Sequence, residues 1–173
     1  MSPQIDAIVL AAGLSTRAGE RNKLLLPLAG KPLIAHAVEA ALGSLACKVH
    51  VVTGHQSDEL AAALNDYAVN FVHNPDYAEG MSSSIKSGIR ALPTDLDGVV
   101  LCLGDMPLVV SAHLDLLIKI FPPLLPVLPI TKNAVVTRYC SQGRCFPTYC
   151  SSVATPAHVT CWNNLNRLSC RSM

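Results

Sequence analysis

The chain has 173 residues and a net charge of +1, and half of its residues are hydrophobic while 14% are charged. This composition excludes an intrinsically disordered chain, and the lack of a basic excess argues against nucleic acid as a partner. The most apolar stretch, residues 114–130, contains Lys119 and four prolines, so we expect no membrane span. Because no signal-peptide pattern surrounds Asp6, a cytoplasmic location is expected.

Short apolar runs alternate with segments of helical spacing along residues 5–118. Strands are predicted at residues 5–10, 48–53, 69–73 and 98–103. Helices are predicted at residues 32–45, from a cap at Ser57, at residues 82–92, and from a cap at Ser111 to residue 118. This alternation predicts an α/β fold with a mainly parallel sheet.

The composition changes near Phe121. All 12 acidic residues lie between Asp6 and Asp115, and five of the seven cysteines lie after residue 139. No Cys-x-x-Cys pair is present, which argues against zinc, and disulfides need an oxidising compartment. Regular periodicity ends here, so residues 121–173 are predicted to form an irregular, poorly ordered tail beside a domain of residues 1–120.

The first candidate for chemistry follows the first predicted strand, since ligands of open α/β sheets bind at the carboxyl ends of strands. The segment reads Leu10-Ala11-Ala12-Gly13-Leu14-Ser15-Thr16-Arg17-Ala18-Gly19, and Lys23 follows it. Small residues let backbone N–H groups approach a phosphate or a base edge, and Arg17 and Lys23 supply the positive charge that a polyphosphate needs. The alternative is an ordinary strand-to-helix turn with two solvated cations.

The second candidate is Asp105, in the run Gly104-Asp105-Met106-Pro107 directly after the strand at residues 98–103. A carboxylate at that place can ligate Mg²⁺, which prefers carboxylate and phosphate oxygens. The alternative is an aspartate that only forms a turn or caps a helix.

A third segment runs from Asn74 to Ser84 and contains Gly80, Met81, Ser82 and Ser83. Because its serines begin a helix, their N–H groups and hydroxyls are suited to an anion or a ribose. The alternative is a plain helix cap with a polar lead-in. The turn that follows the strand at residues 48–53 can also line the cleft with Thr53, Gly54 and His55, although an isolated histidine there is more often a loop residue.

Taken together, these segments resemble the family of molybdenum cofactor guanylyl- and cytidylyltransferase-like nucleotidyltransferases across residues 5–120. The run from Leu10 through Lys23 to Pro27 is similar to the signature loop of that family, and residues 74–84 and 104–107 match its later motifs in order and spacing. The guanylyl branch usually has Gly-Gly where this chain has Ala12-Gly13. With Thr53-Gly54-His55 and residues 74–84 as well, the chain looks closer to the cytidylyl branch. The resemblance implies a Rossmann-like three-layer sandwich of the nucleotide-diphospho-sugar transferase type.

The resemblance also implies an Mg²⁺-dependent transfer of CMP from CTP to the phosphate of molybdopterin, with release of pyrophosphate and no covalent nucleophile. It implies that Arg17 and Lys23 bind the triphosphate and that Asp105 binds the Mg²⁺. The implied nucleotide-binding positions are Leu10, Ala11, Ala12, Gly13, Leu14, Ser15, Gly19, Thr53, Gly54, His55, Asn74, Gly80, Met81, Ser82 and Ser83. The expected partners are CTP or GTP, molybdopterin, and a molybdoenzyme or its maturation chaperone.

Two alternatives to this function stay open. One is transfer from GTP or another nucleoside triphosphate to a different phosphorylated acceptor. The other is a non-catalytic remnant that binds nucleotide, because the later motifs of the family, Arg-Gly-Asn-Pro-Val-Leu-Phe-like and Gly-Asp-x-Gly-Ala-Arg-like, are missing after Phe121.

A shifted reading frame accounts for the missing motifs. When the codons of residues 134–141 start one nucleotide earlier, they can encode Arg-Gly-Asn-Pro-Val-Leu-Phe. The same shift over residues 153–163 allows Gly-Asp-x-Gly-Ala-Arg-x-Leu-Leu-Glu. We therefore expect a frameshift between about residues 118 and 129, which would also explain the acid-free, cysteine-rich tail. An in-frame gene sequence that encodes the same tail in relatives would refute this expectation.

Overall fold

The computed structural model describes residues 3–13 and 22–120, and the backbone of two further strands at Leu128–Thr131 and Ala134–Arg138. Over these ranges, six strands form one sheet and two short strands form a separate hairpin. In chain order the strands are β1 Ile5–Leu10, β2 Pro27–Leu28, β3 Lys31–Pro32, β4 Val49–Thr53, β5 Asn70–His73, β6 Gly98–Leu103, β7 Leu128–Thr131 and β8 Ala134–Arg138.

The main sheet is mostly parallel and has the strand order β5-β4-β1-β6-β8-β7. The first four strands of that order are parallel. Beyond β6, strand β8 pairs antiparallel with β6, and β7 pairs antiparallel with β8. Leu10 pairs with Val52 on one side and with Leu103 on the other, and Thr53 pairs with His73. The last residues of the four parallel strands therefore lie side by side, and we call this edge of the sheet the carboxyl rim.

Helices cover both faces of the sheet: α1 Leu33–Leu42, α2 Ser57–Ala63, α3 Met81–Arg90 and α4 Ser111–Ile120. One core cluster joins α1, α2 and α4 to the sheet through Ile34, Leu60 and Leu114, which are fully buried. The second cluster packs α3 on the opposite face of the sheet. The result is a three-layer α/β/α sandwich with a mainly parallel sheet, which confirms the predicted fold class.

The predicted strands and helices are observed with shifts of up to three residues at their ends. The predicted caps at Ser57 and Ser111 are wrong, because each serine is the first residue of its helix. The capping position of α2 is Gln56, whose backbone is left-handed with φ of 54°. The hairpin of β2 and β3 was not predicted, and it turns at Ala29 and Gly30, both with positive φ. Positive φ at both central residues is typical of the tight turns that join antiparallel strands.

Strands β7 and β8 are likewise additions to the sequence-based description, since no strand was predicted after residue 121. Residues 121–127, 132–133 and 139–173 lie outside the described residues. The division into a domain of residues 1–120 and a frameshift-derived tail therefore stays a prediction. Within the described ranges, no helix combines the length and apolar character that a membrane crossing requires.

Candidate active site

A lysine and an aspartate that are far apart in sequence meet at the carboxyl rim. Lys23 Nζ lies 3.1 Å from Asp105 Oδ2, and the two side chains are 51% and 39% exposed. Asp105 lies beyond the end of β6, where the N–H of Gly104 donates to the carbonyl oxygen of Leu10 at 3.0 Å. Both charged groups are thus held at the rim and remain accessible to a ligand. Arg17, the third charged residue of the predicted site, lies outside the described residues.

A short 3₁₀ helix at Lys23–Leu25 carries the lysine. Asn22 precedes it, is buried, and accepts a hydrogen bond from the N–H of Leu24 through its side-chain oxygen at 3.0 Å. Leu24 is buried in the core and anchors the same turn. Sequence reasoning did not single out Asn22, although an asparagine immediately before a short helix is a recognisable capping signal.

The first two residues after β1 stay against the sheet, and the third is exposed. Ala11 and Ala12 are buried, and the N–H of Ala11 donates to the carbonyl oxygen of Val52 at 2.8 Å. Gly13 is exposed, and a Cβ placed there would meet no described atom within 4 Å. Gly13 is therefore the first exposed residue after β1. The predicted positions Leu14, Ser15 and Gly19 lie outside the described residues.

The turn after β4 is packed tightly against the segment that leads into α3. A Cβ at Gly54 would lie 2.5 Å from Cβ of Tyr77 and 3.0 Å from Cβ of Ala12, so this position requires glycine. The rings of His55 and Tyr77 have centroids 6.0 Å apart. The structure thus brings the predicted residues Gly54 and His55 together with Ala12. Tyr77 lies in the predicted segment of residues 74–84 but was not singled out, since no local sequence signal indicates this packing.

The polar side chains of three predicted nucleotide-binding residues, Thr53, Asn74 and Ser83, are buried. Asn74 Nδ2 donates to Ser83 Oγ at 2.9 Å, so these two side chains face protein and not solvent. Gly80 and Met81 are exposed and Ser82 is partly exposed at the start of α3. The exposed residues of this segment can therefore make the expected contacts with a nucleotide, whereas Asn74 and Ser83 hold the segment in place.

Among the described residues, the one buried cysteine has an unreactive thiol. Cys102 lies in β6, and burial raises the pKa of its thiol to about 12. A thiol with so high a pKa is protonated at neutral pH and is a poor nucleophile.

An open α/β sheet binds its ligands at the carboxyl ends of its strands, and this sheet carries a cation–carboxylate pair and a glycine-containing loop there. A comparison with protein families identifies the class of protein. The model of the MobA-like NTP transferase domain matches residues 7–169, and the chain belongs to that family. The match extends over much of residues 121–173, although the origin of that segment stays a prediction.

Individual relatives agree with this assignment. The chain is 36% identical over 104 residues to a molybdenum cofactor cytidylyltransferase from Escherichia coli strain K12, a match that covers 60% of this chain and 52% of that protein. It is 39% identical over 110 residues to the bifunctional protein GlmU of Halorhodospira halophila, covering 63% of this chain and 23% of that protein.

A solved structure shows the same fold. A nucleotidyl transferase from Methanothermobacter thermautotroptrophicus superposes with a TM-score of 0.61 at 32% identity, over 68% of this chain and 57% of that one. The matched region thus spans about half the length of the cytidylyltransferase and of this structural neighbour, and about a quarter of GlmU.

Proposed function

We propose that the protein transfers CMP from CTP to the phosphate of molybdopterin, releases pyrophosphate and uses Mg²⁺. The observation that carries this proposal is the contact of Lys23 with Asp105 at the carboxyl rim. Nucleotidyl transfer brings together two anionic reactants, a phosphate monoester and a triphosphate. Positive charge must offset their repulsion before they can be held in line.

Lys23 is suited to the triphosphate because its ammonium is exposed and stands on a capped, anchored turn. In this proposal it donates hydrogen bonds to phosphate oxygens and offsets the charge that develops on the departing pyrophosphate. Arg17, on the same loop of the sequence, is proposed to share this task. The proposal needs no covalent intermediate, since the acceptor phosphate attacks the α-phosphate directly.

Asp105 fits a magnesium ion that arrives with its nucleotide. Among the described residues, no group of three or more His, Cys, Asp or Glu side chains could hold a metal by itself. A single accessible carboxylate matches Mg²⁺, which usually keeps several waters and is bound by one or two carboxylates together with substrate phosphates. When bound, the ion would neutralise phosphate charge.

The segment that ends at Gly13 and the turn at Gly54 and His55 are proposed to line the pocket for the ribose and the base. This assignment is supported by the closeness of the two segments, because Gly54 packs against Ala12 and Tyr77. Cytidine as the base is supported by the likeness to a molybdenum cofactor cytidylyltransferase. A cytoplasmic location, and delivery of the product to a molybdoenzyme or its maturation chaperone, belong to the same proposal.

A second candidate is transfer from another nucleoside triphosphate to a different phosphorylated acceptor. It is favoured by the likeness to GlmU, which has an identity similar to that of the cytidylyltransferase match. Titration calorimetry with CTP, GTP and UTP in the presence of Mg²⁺ separates the nucleotides. The first proposal predicts the tightest binding for CTP.

Pyrophosphate release tests the reaction itself. With CTP, Mg²⁺ and molybdopterin together, the first proposal predicts release that depends on all three components. Release with a different nucleotide and acceptor would support the second candidate. Nucleotide binding without release under any combination would support the non-catalytic alternative and contradict both.

A further inference from the structure

A buried asparagine lies between the carboxyl end of β5 and the first turn of α3. Asn74 has no exposed surface, and its side-chain N–H groups donate to the hydroxyl oxygens of Ser83 at 2.9 Å and Ser84 at 3.1 Å. Its side-chain oxygen accepts from the N–H of Asp76 and from the hydroxyl of Ser87, each at 3.1 Å. A carboxamide has two N–H donors and an oxygen with two lone pairs, so all its hydrogen-bonding positions are used inside the protein.

The same network includes the turn that precedes α3. Ser83 Oγ lies 2.8 Å from the carbonyl oxygen of Gly80 and 2.7 Å from that of Asp76, and shares its proton between them. Gly80 has φ of 105°, in the left-handed region that favours glycine. The backbone N–H of Asn74 donates to the carbonyl oxygen of Thr53 at 2.8 Å. The start of α3 is therefore tied both to its own leading turn and to the carboxyl rim.

We infer that Asn74 is a positioning residue for the nucleotide site, acting through Ser83 and Ser84 on the backbone of the first turn of α3. The inference rests on the proposed function. Met81 is 41% exposed and Ser82 is partly exposed. In the first turn of α3 the N–H of Ser83 donates to the carbonyl oxygen of Gly80 at 3.1 Å. The N–H groups of the first residues of a helix otherwise lack an intrahelical acceptor, so those of Met81 and Ser82 suit the ribose or phosphate oxygens of a nucleotide. Asn74, which is buried, touches no ligand and sets the direction of these N–H groups.

Three variants of the full chain test this inference: Asn74→Ala, Ser87→Ala and Ser87→Thr. Ser87→Ala removes one hydrogen bond to Asn74 from the middle of α3 and leaves the leading turn unaltered, whereas Ser87→Thr keeps the hydroxyl. We expect the affinity for CTP with Mg²⁺, measured by titration calorimetry, to fall about tenfold in Asn74→Ala and about threefold in Ser87→Ala. Ser87→Thr is expected to stay within about twofold of the unaltered chain.

Hydrogen exchange gives a second readout that does not depend on nucleotide. In Asn74→Ala, the amides of residues 76–84 are expected to exchange faster, while those of β1 keep their rates. A matched control for general destabilisation is Val38→Ala, a buried change in α1 on the opposite face of the sheet. This control is expected to lower the free energy of unfolding without changing the affinity for CTP.

The outcomes distinguish a failure of this inference from a failure of the proposed function. If the unaltered chain binds CTP, and Asn74→Ala and Ser87→Ala both bind CTP with the affinity of the unaltered chain, the inference is overturned. It is also overturned if Val38→Ala loses as much affinity for CTP as Asn74→Ala does. If the unaltered chain binds no nucleotide, the proposed function fails, and exchange of residues 76–84 then decides alone whether Asn74 fixes the start of α3. If Asn74→Ala does not fold, the comparison of Ser87→Ala with Ser87→Thr decides.

Discussion

Asp6 and His50 form a buried hydrogen bond between neighbouring strands, with Oδ2 of Asp6 2.9 Å from Nε2 of His50. The two side chains are 1% and 7% exposed. The other carboxylate oxygen of Asp6 accepts from the N–H of Lys48 at 3.1 Å. Both residues occupy the first half of their strands, away from the carboxyl rim. This polar pair therefore contributes to the stability of the sheet and not to the site.

Removing one partner of this pair is expected to cost more than removing both. His50→Leu leaves the carboxyl group of Asp6 buried without its side-chain partner, and we expect the free energy of unfolding to fall by about 3 kcal/mol. Urea denaturation of the two single variants and of the double variant Asp6→Leu with His50→Leu measures the coupling. Additive losses in the double variant would show that the hydrogen bond does not couple the two residues.

Gly54 is expected to tolerate no side chain. The Cβ of Gly54→Ala would lie 2.5 Å from Cβ of Tyr77, so the turn or the tyrosine must move. We expect the free energy of unfolding to fall by about 1–3 kcal/mol, the usual cost of overpacking. Gly13→Ala is the matched control, since its Cβ meets no described atom within 4 Å, and its stability is expected to change by less than about 0.5 kcal/mol. Equal stabilities of the two variants would contradict the packing described.

The order of strands and helices could be predicted from the sequence because each element carries its own pattern. The largely buried strand β1 is an apolar run interrupted by Asp6, and α3 has the spacing of a one-sided helix. Chain order also placed Lys23 and Asp105 at the same rim, because parallel strands align their ends. The packing of Tyr77 on Gly54 and the bonding of Asn74 depend on contacts between separate segments, which no local pattern encodes.

A partly exposed cluster of Lys31, Glu39 and Tyr67 links β3, α1 and the segment after α2. The hydrogen bond from Lys31 lowers the pKa of Glu39, which burial opposes, and Tyr67 also donates to Glu39, at 2.9 Å. A lowered pKa in the folded state contributes stability above the ordinary value of 4.5, and this contribution is lost as pH falls through the folded value. We expect the stability difference between the unaltered chain and Glu39→Gln to shrink below pH 4.5 in urea denaturation. A difference independent of pH would contradict this.

Tyr67, in the same cluster, affects the stability of the protein at alkaline pH. The hydrogen bond to Glu39 raises the pKa of Tyr67 above its ordinary value of 10.0. The contribution of such a group is fully present below the ordinary value and is lost as pH rises through the folded one. Tyr67→Phe is therefore expected to be less stable than the unaltered chain at neutral pH, by a small amount because the cluster is exposed, and to approach it above pH 10. A gap that widens above that pH would contradict the pKa direction.

Lys23 and Asp105 are expected to be needed for turnover. Lys23→Met removes the positive charge from the rim, and Asp105→Asn removes the carboxylate proposed to hold Mg²⁺ while keeping its shape. Each is expected to lower the rate of pyrophosphate release by about 100-fold or more. Lys48→Met is the matched control, because Lys48 is exposed just before β4, at the opposite end of that strand. Unchanged rates in both rim variants would remove the site assignment.

Crystals soaked with CTP and Mn²⁺, a stand-in for Mg²⁺ with a strong anomalous signal, show where nucleotide and metal bind. We expect an anomalous peak within coordinating distance of the Asp105 carboxylate, with the triphosphate at the carboxyl rim and the ammonium of Lys23 bonded to a phosphate oxygen. Nucleotide and metal bound away from these two side chains would contradict the proposed site.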